Sequence, residues 1–275
     1  MLLPILLAAW YSVYDWNGIG ALEDFVGFDN YRKALADPVF RGAVLHNGIF
    51  VVLSIVIQLP MALGLALLLN RRLRGRTVLR AVFFAPYVLS EVTTAVIWLL
   101  MLQPDGFVDK VFQAVGLGSA VQLWLANGSI VVYTLFVVIT WKYLGFAIIL
   151  LLAGLQGIPQ ELREAAALDG ASGWQTTRHI TVPLLGPTIR IWCFLSIIGA
   201  LQLFDLIWIM TLGGPANASN TMVVYLIDHG FRRYQFGFAS AVAVILFAIS
   251  FVFAVLYQRF VLRRDTEGAL TRMVG

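Results

Sequence analysis

Few residues in this chain have the type and spacing for chemistry. The three histidines, His46, His179 and His229, are scattered near the ends of apolar runs or in loops, and no H-E-x-x-H pair offers metal-ligand spacing. The only lysines, Lys33, Lys110 and Lys142, follow Arg, Asp and Trp, so no Gly-Lys-Ser/Thr loop can cradle phosphates. No metal, cofactor or nucleotide is therefore expected on this chain. Within apolar runs the ionisable residues are Glu91, Lys142 and Asp205. A charge in hydrocarbon is costly, which makes each a functional candidate, but their separation supports no catalytic pair. Gln202, Asp205 and Trp208 recur at i, i+3, i+6, adjoining parts of one helical face. Hydrogen-bonding groups beside an indole suit a hydroxyl-rich solute, and polar side chains equally bond across packed helices. Trp141 and Tyr143 flank Lys142, where packing is the simpler role. Gln58 with Pro60 reads as a kinked, hydrogen-bonded turn. The chemistry on offer is recognition rather than bond-making.

The elements that would position these residues are membrane helices. Of 275 residues, 60% are hydrophobic and 12% charged, against about 25% charged in a soluble domain. Apolar runs of roughly 20 residues, enough to cross about 30 Å of hydrocarbon, recur along the chain. They are continuous rather than alternating, which favours helices over a barrel. Spans are predicted at 43–69, 78–102, 131–154, 189–212 and 238–262. A further apolar stretch, Met1 to about Tyr14, is too short to cross alone. It lacks the basic start and cleavage site of a signal peptide. It is expected to be the tail of a first span that begins before Met1.

Basic residues orient these spans. Arg71, Arg72, Arg74, Arg76 and Arg80, then Arg163, Arg178 and Arg190, then Arg259, Arg263, Arg264 and Arg272 fall on one side, twelve of the nineteen Lys and Arg. Arg32, Lys33, Arg41, Lys110, Arg232 and Arg233 fall on the other. The positive-inside rule puts the first set in the cytoplasm, and with six spans both termini too. The net charge of +4 follows from this orientation and requires no nucleic acid. Cys193, the one cysteine, lies in an apolar run, so no intrachain disulfide exists.

One polar stretch interrupts the apolar pattern on the expected cytoplasmic side: "GIPQELREAAALDGASGWQTTRHITVPLLGP", residues 157–187. Pro159 suits a first helical position and Glu161 the positive end of the helix dipole. Ala165, Ala166 and Ala167 supply helix propensity with little bulk. Gly170 suits the left-handed residue that ends such a helix. Ser172 and Gln175 have capping-box spacing for a second helix, which Pro183 closes. The stretch predicts a short helical hairpin with a small face, rimmed by Glu164 and Asp169.

Glu164-Ala165-Ala166, Asp169-Gly170-Ala171 and Ile180-Thr181-Val182-Pro183 resemble the EAA loop of ABC importer permeases, with Val182 where the family usually has Leu. "VGFDNYRKALADPVF" (26–40), "MTLGGPANASNTM" (210–222) and "FRRYQFGFASAVAVILF" (231–247) are similar to outer-loop motifs of the carbohydrate-uptake branch, typified by the larger membrane subunit of the maltose importer. The resemblance covers nearly the whole chain. It implies an all-α, six-span type I importer permease, residues 1–275 as one domain, in a prokaryotic inner membrane. It further implies a second homologous permease subunit, two ATP-binding subunits and an extracellular or periplasmic sugar-binding protein. Glu164, Ala165, Ala166, Asp169, Gly170, Ala171, Ile180 and Pro183 would couple it to the ATPase. Gln202, Asp205, Trp208, Trp141, Tyr143 and Glu91 are candidates for the substrate path. The rival readings are a permease for a non-sugar solute and an ion-coupled secondary transporter. The latter leaves the capped hairpin unexplained.

Overall fold

Continuous apolar sequence leaves the backbone no partner but itself, and the chain answers with helices. The computed structural model describes residues 2–71 and 74–263. Arg72, Arg264 and Arg272, used above to orient the spans, lie outside the described residues, as does Met1. Among the described residues the only β pairing is an isolated bridge between Tyr14 and Phe25. In chain order come α1 (Leu2–Tyr11), α2 (Asp29–Ala36), α3 (Pro38–Leu69), α4 (Arg76–Val88), α5 (Glu91–Met101), α6 (Phe107–Ala114) and α7 (Val131–Gln156). The second half holds α8 (Gln160–Leu168), α9 (Gly173–Leu184), α10 (Gly186–Leu201), α11 (Asp205–Thr211), α12 (Met222–Ile227) and α13 (Phe236–Leu262).

Three of the predicted spans appear as α3, α7 and α13, each long and apolar enough to cross a membrane. Within α3 a π turn at Ser54–Gln58 runs directly into Pro60. Proline has no N–H to give the preceding turn, and the wider turn absorbs the loss. A π turn thus stands where a kinked, hydrogen-bonded turn was expected, α3 runs on as one helix, and Ser54 and Gln58 are both buried in it.

The other two spans are corrected. Residues 78–102 do not form one helix: α4 and α5 meet at a 98° break. Pro86 stands in the last turn of α4, Leu89 is extended, and Ser90 starts α5 by accepting a hydrogen bond from the Thr93 backbone (3.1 Å). Residues 189–212 are interrupted as well, because α10 ends at Leu201 and α11 begins at Asp205. The backbone groups freed there find a distant partner, since the Thr221 hydroxyl donates to the Leu203 carbonyl (2.8 Å). α10 is instead extended on its other side, where α9 leads into it at a bend of 62°.

The chain forms two compact units. Of the described residues, one comprises 2–52, 90–139 and 198–253; the other, 53–71, 74–89, 140–197 and 254–263. In the first, Phe40, Ala43, Met222, Tyr225 and Val242 form a core. Buried Asn47 stitches it, donating to the Ala200 carbonyl (2.6 Å) and accepting from the Met222 amide (3.0 Å). In the second, Ala62, Ala66 and Leu69 of α3 pack with Ile148, Leu151 and Leu155 of α7 and Trp192 of α10. Gly145 and Gly154 let α7 approach α4 and α10 closely, since a Cβ there would collide with the Phe83 backbone or the Thr188 side chain. Small residues serve this purpose in apolar surroundings, where helices pack by close contact.

Candidate functional site

The polar interruption at 157–187 folds as the predicted hairpin, and its local hydrogen bonds explain why. Pro159 sits one position earlier than expected. Its extended backbone (φ −54°, ψ 134°) makes it the residue before α8, with Gln160 the first helical residue. Gln160 donates to the Glu164 carboxylate (2.6 Å). At the other end Gly170 is left-handed (φ 77°). Its amide bonds the Ala167 carbonyl (3.1 Å), and the Ala171 amide reaches back to Ala166 (2.9 Å). This pair of bonds is the Schellman closure, which satisfies carbonyls the helix end would otherwise leave open.

The second arm starts at once. Ser172 Oγ accepts from the Gln175 amide (3.3 Å) while Gln175 Oε1 accepts from the Ser172 amide (2.8 Å), the reciprocal box expected from the sequence. α9 then passes through a π turn at Thr177–Thr181 and ends just after Pro183. Every bond that fixes the turn is local, so a few residues of sequence specify it.

The hairpin brings Asp169, Gly170, Ala171 and Ile180 together around a cleft of about 330 Å³, with Gln175, Thr176 and His179 completing its lining. Of the three alanines, Ala166 is buried against the chain while Ala165 and Ala167 face outward. Glu164 and Pro183 are exposed. Two residues that sequence reasoning passed over dominate the surface: Leu168 is 90% exposed and Trp174 is 70% exposed. They flank the Asp169–Ser172 turn on its two arms. Their signal was available as large apolar side chains at the tip of an otherwise polar segment.

The candidates in apolar segments are less unified. Gln202, Asp205 and Trp208 do not share a helical face, because the break at 202–204 separates Gln202 from the other two. Asp205 opens α11, where a carboxylate complements the helix dipole. Trp208, in the same helix, packs against Phe204 (ring centroids 5.6 Å) and lies under the Arg232 guanidinium (6.0 Å). α11 packs against α5, whose first residue is Glu91. In the second unit Tyr143 meets Tyr87 edge-on (6.0 Å), Trp141 is 37% exposed, and Lys142 is buried. These placements describe positions along a membrane segment and assemble no reactive cluster. Among the described residues no group of three or more His, Cys, Asp and Glu could hold a metal ion.

Comparison with known proteins agrees with this architecture. Residues 58–266 match the family model described as "Binding-protein-dependent transport system inner membrane component". The chain is 34% identical over 255 residues to the multiple sugar-binding transport system permease protein MsmF of Streptococcus mutans, covering 92% of this chain and 87% of that protein. It is 32% identical to the trehalose/maltose transport system permease protein MalF of Thermococcus litoralis, covering 94% and 87%. The fold resembles a chain in the crystal structure of a bacterial alginate ABC transporter in complex with an alginate pentasaccharide-bound periplasmic protein. The TM-score is 0.81 at 22% identity, over 95% of this chain and 87% of that one. By this match and these relatives, the chain belongs to the family of binding-protein-dependent transport system inner membrane components, as a permease subunit of an ABC importer.

Proposed function

We propose that this permease forms half of the translocation pathway of an ATP-driven sugar importer, with its hairpin in the cytoplasm docked on an ATP-binding subunit. The observation that carries this reading is the closed hairpin itself, a rigid polar turn that presents Leu168 and Trp174 to solvent. The Schellman closure on one arm and the capping box on the other leave the turn little freedom. A push on its tip therefore travels along α9 into α10. In this scheme two ATP-binding subunits close on ATP and move the hairpins of this permease and a second, homologous one. The movement switches the pathway to face an external sugar-binding protein. The named relatives carry sugars in their descriptions, which supports a carbohydrate here.

What supports the orientation is the gathering of Arg71, Arg74, Arg76, Arg80, Arg163, Arg178, Arg190, Arg259 and Arg263 in the segments that the predicted spans assign to the hairpin's side. Both termini are then cytoplasmic. Two measurements on the assembled transporter test the proposal. Leu168→Ala and Trp174→Ala remove exposed side chains, so expression and assembly with the second permease persist. ATPase affinity falls on the order of tenfold or more if either is an anchor in the docked surface. Unchanged affinity for both variants refutes docking at this tip. Independently, a cysteine at Gly75, with Cys193 replaced, stays shielded from an impermeant thiol reagent in intact cells. Labelling from outside reverses the orientation.

A further inference from the structure

The π turn Asp228–Arg232, which carries Arg232 over Trp208, also carries His229 into a cleft that the transport reading leaves unused. The cleft encloses about 220 Å³ within the first unit and is lined by Asp15, Asn30, Lys33, His229, Gln235 and Phe238. Its walls come from the loop after α1, from α2, from the π turn and from the start of α13. Hydrogen bonds tie these walls together. The Gly237 amide donates to the Trp16 carbonyl (2.9 Å), and a Cβ on Gly237 would collide with the Tyr14 carbonyl, so α13 starts hard against the segment holding Asp15. The Gln235 amide donates to the His229 carbonyl (2.9 Å), and Asn30 Nδ2 donates to the carbonyls of Ser12 and Tyr14 (2.9 Å each). The cleft is therefore formed before any ligand arrives, as small-molecule sites usually are.

Two of its side chains are more than nine-tenths buried and still keep an atom unengaged. Asn30 is 2% exposed, and with Nδ2 committed, no described residue donates to its Oδ1. His229 is 8% exposed; with Nδ1–H given to Gln235 Oε1 (2.8 Å), its Nε2 is left as an acceptor and Gln235 Nε2 as a donor. Asp15 adds a carboxylate with no ion-pair partner among the described residues, while Lys33 is held by Asp29 (2.8 Å). Buried polar atoms need partners, and here acceptors and a donor surround the ring of Phe238. A hydroxyl both donates and accepts, so neighbouring hydroxyls on one ring answer this set. We propose that the cleft is a sugar subsite. It holds one neutral pyranose unit by neighbouring hydroxyls among Asp15, Asn30, His229 and Gln235, with a C–H face of the sugar against Phe238. The Asp15 carboxylate rejects acidic sugars. That the bound unit is cargo, met on the outer side, rests on the importer reading and orientation proposed above; the binding itself does not.

The test is sugar binding by the assembled transporter in nanodiscs, without the external binding protein, read by saturation-transfer NMR. The probes are the neutral hexoses glucose, galactose and mannose, the acidic galacturonate, and choline. Wild type binds a neutral hexose with a Kd on the order of millimolar, and galacturonate roughly fivefold more weakly than galactose. Asp15→Ala removes an acceptor and Gln235→Ala removes the donor; each weakens hexose binding roughly threefold to tenfold. Asp15→Asn keeps most of the galactose binding and brings galacturonate within about twofold of it, a change of preference that loosened packing alone would not produce. Hexose binding unchanged in the double variant Asp15→Ala/Gln235→Ala overturns the cleft, and so does the absence of saturation transfer to every hexose in wild type. Tighter binding of choline than of any hexose overturns the sugar as ligand. Hexose binding that follows these variants, in a transporter that imports no sugar into proteoliposomes, rejects the importer reading and leaves the subsite standing. Sugar import with hexose binding indifferent to the variants does the reverse.

Discussion

Lys142 donates to the backbone carbonyl of Leu89, the residue at which α4 stops and the chain turns extended. Lys142 is 2% exposed and lies midway along α7, so a polar side chain has been taken deep into an apolar segment to meet a helix end. The pairing is favourable there because the last carbonyls of a helix carry partial negative charge and lack internal donors. Lys142 therefore satisfies, from a neighbouring helix, the carbonyl of the residue at which α4 stops.

Replacing Lys142 with Met keeps the length of the side chain and removes the donor. The expected cost is about 2 kcal/mol, the worth of a hydrogen bond to a charged group. It is read as a lower melting temperature of the detergent-solubilised protein, followed by the reactivity of half-buried Cys193 toward a thiol-specific dye. Lys142→Gln, which retains an uncharged donor, falls between. Equal melting temperatures for wild type and Lys142→Met would show that the break stands without this bond.

Gly170 is a cleaner case, because a Cβ there meets nothing within 4 Å. Any effect of substitution comes from its left-handed backbone (φ 77°) rather than from crowding. A β-branched residue resists that conformation by about 1–2 kcal/mol, whereas asparagine tolerates it. Gly170→Val is expected to lower sugar uptake and nucleotide-driven coupling while the complex still assembles, and Gly170→Asn to restore both. Uptake by Gly170→Val equal to wild type would make the hairpin a mere linker.

A pH dependence is built into the other unit. His229 is buried beside Tyr225 (ring centroids 4.3 Å) and Phe238, and its Nδ1 pairs with Gln235 Oε1 (2.8 Å). Burial lowers its pKa from the ordinary 6.5, outweighing the Gln235 bond; Arg233 also lowers it, and Asp228 and Asp37 oppose. Asp15 and Lys33 line the same cleft. Asp37 accepts from the Tyr225 hydroxyl (2.5 Å), and burial first and this bond second raise the tyrosine pKa. A histidine held neutral in the fold takes its proton first in the unfolded chain. Stability from this group is full above about pH 6.5 and falls as pH drops through that value. Melting temperature should decline more steeply between about pH 7.5 and about pH 5.5 in wild type than in His229→Gln, and parallel slopes would exclude His229 as the cause.

The hairpin was legible in the sequence because its bonds are local: Gly170, Ser172 and Gln175 each do their work within four residues. The long apolar helices were legible from hydropathy alone. The breaks were harder to see: Pro86 and the Ser90 cap lie inside an apolar run that reads as continuous, and the bonds that satisfy the freed carbonyls come from far along the chain. Leu89 is capped by Lys142 from 53 residues away, and Leu203 is bonded by Thr221 from 18 away. Nothing in Leu201-Gln202-Leu203-Phe204 announces a helix end. The apparent i, i+3, i+6 face through Gln202, Asp205 and Trp208 was therefore an artefact of assuming continuity.

That correction sharpens what the three residues should do. Gln202 and Asp205 are exposed on this chain, while Trp208 is half-buried and engaged by Phe204 and Arg232. A charged side chain exposed in an apolar segment calls for a wet cavity or a protein partner rather than lipid. If Asp205 and Gln202 line the sugar path, Asp205→Asn and Gln202→Ala lower uptake at unchanged protein yield. The ATPase activity stimulated by the loaded binding protein survives in part. Trp208→Ala behaves differently, because it removes a stacking partner of Arg232 worth about 0.5–2 kcal/mol. It should lower the melting temperature as well as uptake. Arg232→Gln breaks the same contact from the other side, together with the Arg232 ion pair to Asp228 (3.1 Å), so the double variant should lose less than the sum of the two single losses. Normal uptake per assembled complex for Asp205→Asn and Gln202→Ala would place both residues in a subunit contact, and strict additivity of Trp208→Ala with Arg232→Gln would dissolve the pair.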